Sequence, residues 1–117
     1  MEASQQWVNE VRLVGRLSAD PQERELPSGD QVVQLRVVVP REPGSGGGGG
    51  AGRVDTIDVA CWSARTRRTS GRLHRGDVVE VAGVLRRRFF RAGAATVSRY
   101  EVEAGRVARR RGLVRTL

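Results

Sequence analysis

The strongest constraint on the fold is a strand written around a glycine. Residues 9–18 read NEVRLVGRLS, with Val11, Leu13, Gly15 and Leu17 alternating with Arg12, Val14 and Arg16. A period of two puts the first set on one face of a strand and the second on the other. Gly15 falls in the middle of that alternation. A glycine weakens a plain strand, but it is what a barrel wall needs where it bends sharply.

Four more valine-rich segments follow. Strands are predicted over about residues 7–18, 31–39, 54–62, 77–90 and 96–107, separated by turn signals at Pro27-Ser28-Gly29-Asp30, Arg75-Gly76-Asp77 and Arg91-Ala92-Gly93. Residues 63–75 read as one short helix capped by Ser63, with Ala64, Arg67, Arg68 and Gly71 as its candidate face. That face is poor in apolar residues, and Gly71 costs about 1 kcal/mol against alanine inside a helix. A short or frayed helix is expected. Periodicity alone predicts a small all-β barrel of one domain, residues 1–108, followed by a basic tail, 109–117.

The segment 40–53 contains a polyglycine run whose Gly44, Gly46 and Gly49 match GxGxxG. The match is trivial in polyglycine, and a strand rather than a helix follows it, so no dinucleotide site is expected. A flexible loop with Arg41 and Arg53 as its only cations is the reading.

Charge is unevenly distributed. All 21 basic residues are arginine, which a GC-rich coding genome would explain. Residues 1–63 hold six arginines against nine carboxylates, whereas residues 86–117 hold ten against two. A basic C-terminal third suggests a localised surface for a polyanion, and guanidinium groups can fork onto phosphates and stack on planar rings. Cys61 is the only cysteine, so neither an intramolecular disulfide nor a CxxC metal site is available. It reads as a buried thiol. His74, the sole histidine, has no partner set suggested by spacing, and no catalytic site, metal or cofactor is expected. No apolar run is long enough to span a bilayer and no secretory leader is read, so the expected location is cytoplasmic, nucleoid-associated.

Strand parity sorts the candidate binding residues. Ile57, Val59 and Cys61 form the core face of the third strand, leaving Asp58, Ala60 and Trp62 outside. Val79, Val81, Gly83 and Leu85 form the core face of the fourth, leaving Arg86, Arg88 and Phe90 outside. Phe89 and Tyr100 are expected in the core, with Phe89 the competitor for the place of Phe90 should a bulge shift the register. Arg12, Arg16, Arg36 and Arg99 take outward parity on their strands. An outward ring among arginines suits a single-strand binder, with bases stacking on the ring and guanidinium groups meeting the backbone. Trp62 could instead edge the core or a subunit interface, Trp7 reads as packing or interface, and each arginine could be an ordinary solvated side chain.

The order N-x-V-x-L-V-G-R-L-x-x-D-P, then P-S-G, then Val59-Ala60-Cys61-Trp62, Arg75-Gly76-Asp77-Val78-Val79-Glu80-Val81-Ala82-Gly83 and Leu85-Arg86-Arg87-Arg88-Phe89-Phe90 resembles bacterial single-stranded DNA-binding proteins across about residues 9–107. The resemblance implies an all-β, five-stranded OB-fold barrel with a helix between strands three and four. It also implies non-enzymatic, sequence-nonspecific binding and protection of single-stranded DNA in replication, recombination or repair. By the same resemblance Trp62 and Phe90 are base-stacking positions and the chain is a homo-oligomer, a tetramer by family habit or a dimer. The chain departs from the family pattern in three places: its helix is less apolar, its long loop lacks aromatics, and it ends Arg109-Arg110-Arg111-Gly112-Leu113-Val114-Arg115-Thr116-Leu117 where the family carries an acidic tip. Acidic-tail docking of replication and repair proteins is therefore not expected. Two other readings stay open: an RNA-binding OB protein, and an OB-fold protein-interaction or primosome-type module.

Overall fold

The computed structural model describes residues 6–42 and 53–111. Within them the order is β1 (Val11–Leu17), β2 (Gln22–Glu25), β3 (Gln31–Pro40), β4 (Val54–Cys61), α1 (Ala64–Ser70), β5 (Val78–Ala92) and β6 (Ala95–Arg109). β1 pairs along one edge with β5, from Val11↔Gly83 to Arg16↔Val78. Along its other edge it meets β3 at Arg16↔Val38 and Leu17↔Val37. The wall therefore runs β1-β5-β6-β4-β3 and returns to β1. All pairings are antiparallel except β4 with β6. The five expected strands form this closed barrel, and the helix lies between β4 and β5.

Gly15 shows why closure needs a glycine. A Cβ there would run into the carbonyl oxygen of Val38 and come within 2.9 Å of Val37 Cγ1. β1 thus crosses β3 at a separation no side chain would permit. A second close approach lies at Gly83, where a Cβ would strike the carbonyl oxygen of Glu103. There the β5–β6 register shifts from Ala82↔Arg106 to Gly83↔Ala104, leaving Gly105 as a bulge residue that bends the ribbon.

The short β2 was not foreseen. Its sequence, QERE, is exposed throughout and has no apolar alternation to announce it. The turn over residues 26–30 makes it: Gly29 has φ +92°, and the Leu26 N–H donates to the Asp30 carbonyl at 2.8 Å. β2 then lies on the β3 edge that β1 uses farther along.

Leu17, Leu35, Val37, Val59, Cys61, Val79, Val81, Val102 and Val107 fill the barrel. Each buried valine or leucine contributes about 1.5–3 kcal/mol from leaving water. Cys61 is fully buried, as expected, and desolvation raises its thiol pKa, only partly offset by hydrogen bonds with Ser70 and Thr66.

The helix corrects one expectation. Its buried face is Thr66 and Ser70, with Leu73 beyond its end, and Ala64, Arg68 and Gly71 are exposed. The burial is possible because both hydroxyls are satisfied locally: Ser70 Oγ donates to the Thr66 carbonyl at 2.6 Å, and Thr66 Oγ1 to the Ser63 carbonyl at 3.2 Å. Ser63 caps the helix as predicted, accepting from the Thr66 N–H at 3.1 Å.

Parity also misleads beyond the bulge. Leu85, Phe89 and Tyr100 carry core parity yet are 46%, 65% and 60% exposed. From about Leu85 onward β5 and β6 pair with each other as a two-stranded ribbon that runs past the barrel body to its turn at Gly93. Their inward-facing side chains have no opposing wall there. Ala60 errs the other way. It has outward parity but is 1% exposed, flanked by Gln34 on β3 and Glu103 on β6. The polyglycine of the 40–53 loop and the tail from residue 112 onward lie outside the described residues. Arg109 and Arg110, assigned to the tail by sequence, belong to the barrel: Arg109 closes β6, and the Arg110 N–H donates to the Val78 carbonyl at 2.8 Å.

Candidate nucleic-acid interface

Three strands and the ribbon present one continuous outer face. β3 and β4 contribute the cross-strand pairs Gln34–Ala60 and Arg36–Asp58. β4 runs parallel to β6, with Ala60 opposite Glu103. β6 pairs back to β5, aligning Arg86 with Glu101, Arg88 with Arg99, and Phe90 with Val97. Cross-strand partners share a face, so Arg36, Trp62, Arg86, Arg88, Phe90 and Arg99 come together here.

The rings are already engaged by arginine. Arg88 Cζ lies 4.6 Å from the centroid of the Trp62 ring, and Arg99 Cζ lies 5.3 Å from that of Phe90. Both are within cation–π range. Phe90 is 42% exposed, whereas Trp62 is only half-buried and its indole N–H is enclosed without a hydrogen-bond acceptor. A concave site of about 130 Å³ beside them is lined by Gln22, Gln34, Arg36, Asp58, Arg99 and Glu101.

Carboxylates are interleaved with these arginines. Arg36 Nε meets Asp58 at 3.4 Å, Arg86 Nε meets Glu103 at 3.1 Å, and Arg88 Nε meets Glu101 at 2.7 Å. Each of these pairs is made through Nε. A guanidinium has five N–H donors, so terminal nitrogens remain for a phosphate. Glu101 and Glu103 were not singled out from sequence. Their signal was parity: both alternate in step with Arg99 along β6.

Two predicted site residues are not brought to this face. Arg12 and Arg16 lie on β1, on the far side of the barrel between β5 and β3. Arg12 Nε bonds Glu80 Oε2 at 2.6 Å, and Arg110 reaches the same carboxylate at 3.5 Å. The hydrogen bond from Arg12, with the positive charge of Arg12, Arg110 and Arg106, holds the Glu80 carboxyl below its ordinary pKa. Among the described residues, no contact joins Arg12 or Arg16 to Trp62, Arg88 or Phe90.

The other ribbon face carries a second set. Arg87 Cζ lies 5.1 Å from the Phe89 ring and 5.6 Å from the Tyr100 ring. Asn9, in the segment that follows the exposed Trp7 and Val8, is tied to this ribbon: its side chain donates to the Leu85 carbonyl at 2.9 Å and accepts from the Leu85 N–H at 2.8 Å. Among the described residues no group of three His, Cys, Asp or Glu side chains could hold a metal ion, and no helix is long and apolar enough to cross a membrane.

The fold has a solved counterpart. The Plasmodium falciparum SSB complex with ssDNA superposes with a TM-score of 0.73 over 92% of this chain and 98% of that one, at 16% identity. At that identity the likeness concerns the fold, an OB barrel. No curated protein matches the chain. The family model for the single-strand binding protein family matches residues 8–109, nearly the whole described chain, and the protein belongs to that family.

Proposed function

We propose that the protein binds and protects single-stranded DNA without sequence preference, holding it across the face that carries Trp62, Arg88, Phe90, Arg99, Arg86 and Arg36. The carrying observation is the meeting of two aromatic rings and four arginines on one outer face of a single-strand binding family barrel. Stacking contributes roughly 1–3 kcal/mol per base, so two stacking places, one at Trp62 with Arg88 and one at Phe90, contribute about 2–6 kcal/mol before ordering costs. Phosphate contacts supply the rest, and contacts to ring faces and to the backbone carry no sequence information, which leaves the sequence of the strand unselected. The activity is binding, with no chemical step. Work on exposed single strands in replication, recombination or repair, in the cytoplasm at the nucleoid, follows from it. A homo-oligomer, tetramer or dimer, belongs to the same proposal, and the exposed Trp7, Val8, Leu85, Phe89 and Tyr100 supply apolar surface for it.

A protein-interaction module is the second reading. The carboxylates already paired with Arg36, Arg86 and Arg88 favour it, because they lower the net positive charge that a phosphate backbone would meet. Titration with an oligo-dT strand at low and high salt separates the two. The proposal expects binding whose logarithm falls by about 0.7 per neutralised phosphate with log salt. Quenching of Trp62 fluorescence, isolated in a Trp7→Phe background, should accompany it. Absence of binding at low salt would leave the interaction module. An oligo-rU strand bound more tightly than oligo-dT would assign the face to RNA.

A further inference from the structure

A buried carboxylate on a face meant for phosphates is out of keeping with its surroundings. Glu101 is 6% exposed, lies on the outer face of β6, and borders the concave site with Arg36 and Arg99. A buried charge needs a partner, and a negative one here repels the backbone the face would hold. What it holds is Arg88. Arg88 Nε donates to Glu101 Oε2 at 2.7 Å, its Nη2 lies 3.5 Å from Glu103 Oε1, and its Cζ sits over the Trp62 ring at 4.6 Å. Glu103 is itself steadied by Arg86 at 3.1 Å.

We propose that Arg88, pinned by Glu101 and Glu103 against Trp62, is itself the stacking platform for a nucleic-acid base, with the indole acting as its floor rather than as the contact surface. The inference rests on the single-strand reading above and specifies how that face works. On the side that Arg88 covers, an approaching base meets a guanidinium and not the indole. A guanidinium is planar and weakly hydrated, so it stacks on a ring through either of its faces. The pins hold it in place before DNA arrives, which removes the rotamer cost that a free arginine would bear on binding. Terminal nitrogens not taken up by the pins can meet the phosphate that follows the stacked base.

The test is the affinity of the full chain for a labelled oligo-dT strand at low salt, across four variants. Arg88→Lys keeps the charge but loses the plane and the fork, so it is expected to weaken binding about ten-fold, on the order of one stacked base, and as much as Arg88→Gln does. Glu101→Gln is expected to weaken binding several-fold although it removes a negative charge from the face. Asp58→Asn, which neutralises a carboxylate on the same face without touching the pin, is expected to tighten it. Glu101→Gln tightening binding as Asp58→Asn does, or Arg88→Lys binding like the wild type, would overturn the platform. Should Glu101→Gln fail to fold by circular dichroism, Arg88→Lys decides alone, since its altered tip is partly solvent-exposed. A wild type that does not bind the strand would instead sink the single-strand reading itself, so the two failures are distinguishable.

Discussion

β5 is one unbroken strand with two environments. Val79 and Val81 in its first half are fully buried, whereas Phe89 and Phe90 in its second half stand 65% and 42% exposed. The alternation of side chains does not change between the halves. What changes is the opposing wall: the first half faces β1 and the barrel interior, and the second pairs only with β6. The body spends its apolar residues on stability. The ribbon leaves its aromatic residues in water, each beneath an arginine. Rings gathered on one exposed ribbon contribute little to folding, and their two-sided display is what the proposed ligand face and the proposed oligomer face would each use.

The comparison can be broken at its strongest point by Gly15→Val. The branched side chain must pass through the carbonyl of Val38, and overpacking alone costs about 1–3 kcal/mol before any backbone shift. Loss of a cooperative thermal transition is expected. A variant that melts like the wild type would mean the barrel is not closed at β1–β3.

A smaller effect concerns Cys61. Burial raises its pKa and shields its sulfur. Labelling by a thiol reagent is expected to be slow in the native state and fast in urea, and rapid native labelling would place the end of β4 outside the core. On the ribbon, Tyr100→Ser is expected to change the stability of the single protomer by no more than about 0.5 kcal/mol, the ordinary range for an exposed site. A further loss in urea denaturation that grows with protein concentration is expected if this face meets a second copy, and its absence would count against the proposed oligomer surface.

The smallest effect is a pH dependence. Glu80 has a folded pKa below its ordinary value. Its pairing with Arg12 therefore stabilises the fold above the ordinary carboxylate range and is lost as pH falls through the depressed value. Glu80→Gln should flatten the acid limb of the stability profile, and an unchanged limb would mean the pair contributes nothing to folding.

Much of this was legible because the informative residues are tied to backbone demands. Gly15, Gly29 and Gly76 sit where the chain crosses closely or turns with positive φ. The Asp20 side chain accepts from the Arg75 N–H at 2.8 Å, so the Asp20-Pro21 step braces one loop against another. The outward placing of Trp62, Phe90 and Arg88 followed from parity, which holds along a pleated strand whatever surrounds it; the seating of Arg88 on Trp62 did not. Parity says nothing of where the wall ends. Leu85, Phe89 and Tyr100 were therefore expected in a core that stops short of them, and Arg12 and Arg16 were grouped with residues that barrel closure sets on another side. β2 could not be read, because an all-polar strand held by a turn leaves no apolar signature.

The central claim is that DNA lies on the Phe90 face and not on the Phe89 face. Adjacent residues of one strand test it most directly, through the low-salt affinity of Phe90→Ala and Phe89→Ala for a labelled oligo-dT strand. Loss of one stacked base, about 1–3 kcal/mol, is expected for Phe90→Ala, with Phe89→Ala binding like the wild type. Equal losses, or a loss confined to Phe89→Ala, would contradict it.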